Sequence, residues 1–237
     1  MFAELSHIIQ RRIGITEATS EVVELYHRLG ACYADALDEP DKAVECFQQI
    51  LETDSREKRA LEALERVYYK RESWAELYGI YEKMVDIAVG DEAVADCYAH
   101  LAKIASDTLA DRDRAVDLWN RVIDLRGEDP TALWELGGLF EAGELFRELT
   151  DVLERCVRII PTPSDQIPVL KRLGVIYREK LERDRNALES WQKVLEIDPG
   201  DLEALRAITA IHRAGQAWED LVETLHRILE IGVTMMD

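Results

Sequence analysis

Four cysteines and five histidines are the residues of this sequence best suited to metal binding or nucleophilic chemistry, and their spacing supports neither. Cys32, Cys46, Cys97 and Cys156 form no CxxC pair and no cluster with histidine, which disfavours zinc and redox work. Buried free thiols in a reducing compartment are the reading that remains, and with it a cytoplasmic location. His7, His27, His100, His212 and His226 are scattered, and none stands in an HExxH motif or beside a nucleophile motif. Gly137, Gly138 and Gly143 hint at a phosphate loop, but no strand pattern precedes them. Asp and Glu are abundant and spread as solvated helix faces require. No catalytic constellation emerges and no cofactor is expected.

The composition narrows the partners. Of 237 residues, 29 are Lys or Arg and 48 are Asp or Glu, a formal charge of −19. Phosphate binding wants a surplus of Lys and Arg, so nucleic acid and anionic membrane surfaces are disfavoured. No run approaches the ~18 apolar residues of a membrane-spanning helix. The opening MFAELSHIIQRRIG lacks the layout of a signal peptide. Gly 12 and Pro 6 are too few for a protein of many short strands and turns.

What must position any functional side chain is a repeat. Shifted by 72 residues, the chain aligns on itself twice without a gap, from Leu25, Cys97 and Val169. Leu29, Leu101 and Leu173 coincide, as do Ala43, Ala115 and Ala187, and Phe47, Trp119 and Trp191. Ala60, Ala132 and Ala204 match, then Trp74, Phe146 and Trp218, then Leu77, Leu149 and Leu221. Each unit halves again, since Leu29-Gly30-x-x-Tyr33 returns as Leu64-Glu65-x-x-Tyr68, 35 residues on. Apolar residues recur at steps of three and four, the period of an amphipathic helix. Short polar breaks such as Asp38-Glu39-Pro40-Asp41 suit helix ends. Each half is thus a helix hairpin that needs stacked neighbours to cover its apolar face.

With Leu170, Leu173, Gly174, Tyr177, Ala187, Trp191 and Pro199, the third unit resembles the tetratricopeptide repeats. The resemblance covers essentially the whole chain in six repeats. It implies an all-α, right-handed α-solenoid superhelix of about 13 helices, and close helix approach at Gly30, Ala102, Gly137 and Gly174. Odd repeats depart from the pattern by one extra residue: Tyr33 to Ala43 is ten steps, where Tyr68 to Leu77 is nine. Even repeats place Leu77, Leu149 and Leu221 where the family has Ala.

The opening residues match a second helix: Phe2 falls on Trp74, Leu5 on Leu77, Ile9 on Tyr81, Ile13 on Val85 and Ile15 on Ile87. The expected organisation is a single array over 1–237, with an orphan second helix and linker at 1–21 and double repeats at 22–93, 94–165 and 166–237. It reads as a piece of a longer array with Met1 added, its last residues 232–237 stopping where 88–93 lead onward. Bare apolar faces at the ends imply end-to-end self-association through Phe2, Leu5 and Ile9.

In the family, the first helices of the hairpins form the concave face. If those positions transfer, its middle holds His27, Ala31, Ala34, Glu62, Arg66, Tyr69, Ala99, Lys103, Ser106, Trp134, Gly138, Glu141, Lys171, Val175, Arg178, Arg206, Ala210 and Arg213. Six of these are basic (Arg66, Lys103, Lys171, Arg178, Arg206, Arg213) and two acidic, a local surplus of four on an acidic chain. With Tyr69 and Trp134 they suit an acidic peptide or protein segment. The opposing expectation is that they pair with Glu and Asp of adjoining helices. The Asn of the family's carboxylate clamp is missing, because Val175 follows Lys171 and Ala210 follows Arg206. The expected function is a non-catalytic protein-interaction scaffold. The alternatives are a spacer or self-assembly element, and an accessory array of a larger enzyme or regulator.

Overall fold

A computed structural model describes residues 2–234, with side chains described up to Ile231. The expectations placed on Met1 and on residues 232–237 therefore lie outside the described side chains. Thirteen α-helices and no strand occur among the described residues. They are α1 (Phe2–Ile13), α2 (Thr19–Ala31), α3 (Pro40–Thr53), α4 (Lys58–Lys70), α5 (Trp74–Ile87), α6 (Asp91–Asp107), α7 (Arg112–Arg126), α8 (Pro130–Ala142), α9 (Phe146–Ile159), α10 (Pro163–Glu179), α11 (Asp184–Ile197), α12 (Leu202–Ala214) and α13 (Trp218–Thr234). A π-helical turn, Cys32–Ala36, extends α2. The chain forms two compact units, residues 1–127 and 128–237.

The 72-residue period reaches the backbone. Glu57, Asp129 and Asp201 each cap the first helix of an even hairpin, accepting from the N–H of Ala60 (2.6 Å), Ala132 (2.8 Å) and Ala204 (2.9 Å). Such caps satisfy donors that the first helical turn leaves unpaired. Those three alanines are fully buried. Each hairpin then turns on one left-handed residue. In the odd hairpins these are Asp38, Ala110 and Glu182, and in the even ones Glu72, Glu144 and Gln216.

The extra residue of the odd repeats sits in these turns. In even hairpins the helix closes with Glu72 N–H on the Tyr69 carbonyl (3.1 Å) and Ser73 N–H on Tyr68 (2.9 Å), a Schellman arrangement. In odd hairpins both spans widen by one or more residues: Leu37 N–H donates to Cys32 (3.1 Å) and Glu39 N–H to Tyr33 (2.9 Å). Ala105–Asp111 (2.9 Å) and Tyr177–Arg183 (2.7 Å) repeat that wider bond one and two periods later.

The core sorts the small residues expected at close approaches. A Cβ on Gly30 would lie 2.6 Å from the Phe47 ring, and one on Gly174 would run into the Trp191 indole. Gly137 differs, since its nearest neighbours, Leu149 and Val152, would stand at 3.8 and 3.9 Å. Unit 2 is built on one apolar cluster that includes Leu149, Leu173, Tyr177, Trp191, Val194 and Leu205. In unit 1, Leu29, Phe47, Leu61, Leu64, Leu77, Leu101 and Trp119 play the equivalent parts.

Candidate functional site

The residues with chemical potential serve packing. Cys32, Cys46 and Cys156 are buried and Cys97 partly so, with no disulfide among them. Burial pushes the Cys46 thiol up to about 11, and raises Cys97 and Cys156 as well, which keeps these thiols protonated and unreactive. His212 stands partly buried with its ring Nδ1 3.4 Å from the Thr224 hydroxyl. Gly137 and Gly138 lie inside α8, and Gly143 ends it. No group of three or more His, Cys, Asp or Glu is placed to hold a metal among the described residues. None of the described helices is long and apolar enough to cross a membrane.

The first helices of the hairpins in unit 1 carry a continuous series of clefts. Between α2 and α4, above the Phe47 ring, lies a hollow of roughly 360 Å³ bordered by His27, Ala31, Glu62 and Arg66. Next to it, Ala31, Ala34, Arg66 and Lys70 bound one of roughly 290 Å³. The largest of the three, roughly 730 Å³, opens between α4 and α6 with α5 as its floor. Arg66, Tyr69, Trp74, Tyr81, His100 and Lys103 are among its walls. Arg66 borders all three clefts. Of the sequence-assigned positions, His27, Ala31, Ala34, Glu62, Arg66, Tyr69 and Lys103 border these clefts, whereas Ala99 and Ser106 of α6 border none of the three.

The charges of that surface are unequally met. Glu65 accepts a 2.6 Å hydrogen bond from the Tyr81 hydroxyl, and burial together with this carboxylate raises the Tyr81 pKa. Tyr81 in turn stacks on His100, ring centroids 4.7 Å apart and nearly parallel. Glu57, the cap of α4, stands 3.2 Å from the buried His27 ring, yet burial holds the His27 pKa below its ordinary value. Arg66 is exposed and makes no ion pair among the described residues. Beside it Tyr69 is 66% exposed, held edge-on by Trp74 with centroids 5.8 Å apart. Lys103 is exposed on α6, facing the same cleft.

In unit 2 the expected face divides. Lys171 is ion-paired with the cap Asp201 (2.6 Å) and with Glu203 (2.7 Å), so its charge is met internally. Burial works against the Lys171 charge, but these two carboxylates outweigh it and raise the pKa. Asp201 moves the opposite way, lowered by Lys171 and the Ala204 N–H against its own burial. Glu141 pairs with Arg172 at 2.6 Å. Arg178, Arg206 and Arg213 form no ion pair among the described residues. Trp134 stands 65% exposed on α8.

The positions expected from sequence all lie on first helices, whereas Trp74 and Tyr81 reach the cleft from α5. His100 and Asp107 were signalled by their steps of three and four to Lys103 along α6.

Helix hairpins repeated at a fixed period, each packed against the next within its unit, define an α-solenoid. Two family models described as tetratricopeptide repeat match residues 23–57 and 60–95, the first two full hairpins. Over these residues the chain carries tetratricopeptide repeats, a fold that serves as a scaffold for protein–protein interaction. Solved structures similar to it include YrrB, a TPR protein described with an unusual peptide-binding site (21% identity, 84% of this chain and 96% of that one, TM-score 0.48). A MamA protein aligns at 21% identity over 76% of this chain and 94% of its own, with TM-score 0.49. PilF of Pseudomonas aeruginosa aligns at 15% identity over 86% and 94%, with TM-score 0.43. No curated protein matches the chain in sequence.

Proposed function

We propose that the chain is a non-catalytic scaffold that docks an acidic segment of a partner protein on the face made by the first helices of its hairpins. The observation that carries this reading is Arg66: an unpaired guanidinium where three clefts meet, one turn from the exposed Tyr69. A guanidinium binds a carboxylate in a bidentate fork, and an aromatic beside it supplies contact area at small entropic cost. Lys103 faces the same cleft, and Trp134, Arg178, Arg206 and Arg213 extend the proposal into unit 2. Lys171 contributes less, since Asp201 and Glu203 hold it. The organisation that goes with the proposal is one array over 1–237, an orphan second helix and linker at 1–21 followed by three double repeats at 22–93, 94–165 and 166–237. A pure spacer would leave no reason for an exposed Tyr69 next to an unpaired Arg66.

Selection of a displayed random-peptide library on the whole chain tests this. Peptides combining Asp or Glu with an aromatic or aliphatic residue should be enriched. Arg66→Glu should lower their affinity on the order of tenfold or more. Tyr69→Ala should remove the apolar preference while leaving the acidic one. Enrichment without acidic residues, or binding indifferent to Arg66→Glu, would show the reading to be wrong.

A further inference from the structure

The two apolar seats on either side of α4 are built from different side chains. The hollow of roughly 290 Å³ between α2 and α4 is lined by the methyl groups of Ala31, Ala34 and Ala63, with Phe47 and Val67 among its walls. The cleft of roughly 730 Å³ between α4 and α6 is lined by rings: Tyr69 edge-on to Trp74, and Tyr81 stacked on His100. Arg66 stands on the rim of both. A small seat walled by methyl groups suits an aliphatic side chain. An aromatic one gains edge and face contacts with other rings, which the wider cleft supplies.

Most of the rim charge is met within the chain. Beside the small hollow, Lys70 pairs with Asp38 at 3.1 Å and Arg71 with Asp41 at 2.7 Å. On α4 itself, Glu62 pairs with Lys58 at 3.6 Å, and Glu65 accepts from the Tyr81 hydroxyl at 2.6 Å. Asp35 and Asp38 on the rim of the hollow, and Asp107 on that of the cleft, discourage a carboxylate from entering either seat. An acidic group is thus directed to the ridge between them, where the Arg66 guanidinium is unpaired among the described residues.

The next period does not repeat this set. At the positions of Ala31, Ala34 and Ala63 it has Lys103, Ser106 and Glu135, and at those of Tyr69, Tyr81 and His100 it has Glu141, Leu153 and Arg172. Gly138 stands in the place of Arg66. The repeat accepts either set, so its packing does not dictate the alanines, the rings or Arg66.

We propose, resting on the groove reading, that the partner segment crosses α4 in an extended conformation, with an aliphatic residue in the α2–α4 hollow, an aromatic residue in the α4–α6 cleft and an acidic residue between them on Arg66. Seats on opposite sides of one helix lie about 10 Å apart, the spacing of neighbouring helices. An extended chain rises ~3.3 Å per residue, which places the aliphatic and aromatic residues about three positions apart. A helical segment, rising ~1.5 Å per residue, would need about seven.

Selection of displayed random twelve-residue peptides on the whole chain, read position by position, tests the spacing. Enriched peptides should pair an aliphatic with an aromatic residue about three positions apart, with Asp or Glu between them. Ala31→Leu, at an exposed site, fills the hollow. It should weaken a selected peptide about tenfold and leave unchanged the same peptide carrying Ala at its aliphatic position. His100→Ala, also at an exposed site, should weaken the selected peptide roughly fivefold, and far less the one whose aromatic residue is Ala. Both variants should keep the helicity of the parent by circular dichroism. Acidic peptides without this pairing, a helical spacing, or an Ala31→Leu chain that keeps the aliphatic preference would each overturn the proposal and leave the groove reading standing. Absence of acidic enrichment, or indifference to Arg66→Glu, would overturn both.

Discussion

Gly174 and Gly138 lie on neighbouring hairpins of unit 2 and answer differently to one methyl group. At Gly174 the added carbon would collide with the Trp191 indole, a rigid ring packed in the core at 3% exposure. At Gly138 nothing stands within 4 Å, and the residue lies inside α8. Gly174→Ala should therefore cost about 1–3 kcal/mol through overpacking. Gly138→Ala should add about 0.5–1 kcal/mol, because glycine inside a helix loses more backbone entropy on folding. Urea denaturation of the two variants beside the parent chain measures both. Equal effects would mean that the Trp191 ring moves aside freely. Sequence spacing grouped Gly30, Gly137 and Gly174 as close approaches, and only Gly30 and Gly174 have an aromatic ring against them. The partner explains the difference: Gly30 meets Phe47 and Gly174 meets Trp191, whereas Gly137 meets the branched ends of Leu149 and Val152.

At the scale of the element, each hairpin turns on a residue with φ between 52° and 56°, and none of the six is glycine. A side chain in that conformation carries a steric penalty that glycine lacks. Ala110→Gly and Gln216→Gly should each stabilise the chain by up to about 1 kcal/mol. In a protein of this size that raises the Tm by roughly 2–4 °C. Asp38→Gly should gain less, because Asp tolerates the left-handed region and Asp38 also pairs with Lys70 at 3.1 Å. Thermal unfolding followed by circular dichroism ranks the three, and a gain at Asp38 equal to that at Ala110 would contradict the account. Helix number, hairpin pairing and the added residue of the odd repeats were all legible from the 72-residue shift, because local periodicity dictates them. The electrostatics of the face were legible only in part. Lys171 occupies a groove position by spacing, but its charge is met by the N-cap of the next hairpin, 30 residues away. A cap that also accepts an ion pair cannot be read from one helix face. The cleft wall raised by Trp74 and Tyr81 escaped for a similar reason, since it comes from a second helix.

For the whole molecule, the compact units do not coincide with the sequence repeats. The division at 127/128 falls between α7 and α8, within the double repeat that spans 94–165. Repeat stability is close to a sum of hairpin terms and nearest-neighbour interfaces, so elements flanked on both sides resist opening most. In unit 1 the flanked elements are α2 to α6. Six residues of α3 and six of α4 are buried, against two of α1. In unit 2 they are α9 to α12, each with five buried residues. Native-state hydrogen exchange of the unaltered chain should therefore show two maxima of protection, one in each of these runs. Between them a minimum should fall around Gly127, whose φ of 80° ends α7, and α1 should exchange fastest of the helices. One cooperative unit spanning the chain would instead give the interior helices a common level with no dip at 127/128. Ile9 is one of only two buried residues of α1, so in an Ile9→Asp chain the protection of α1 should fall further in the same experiment while α3 to α6 keep theirs.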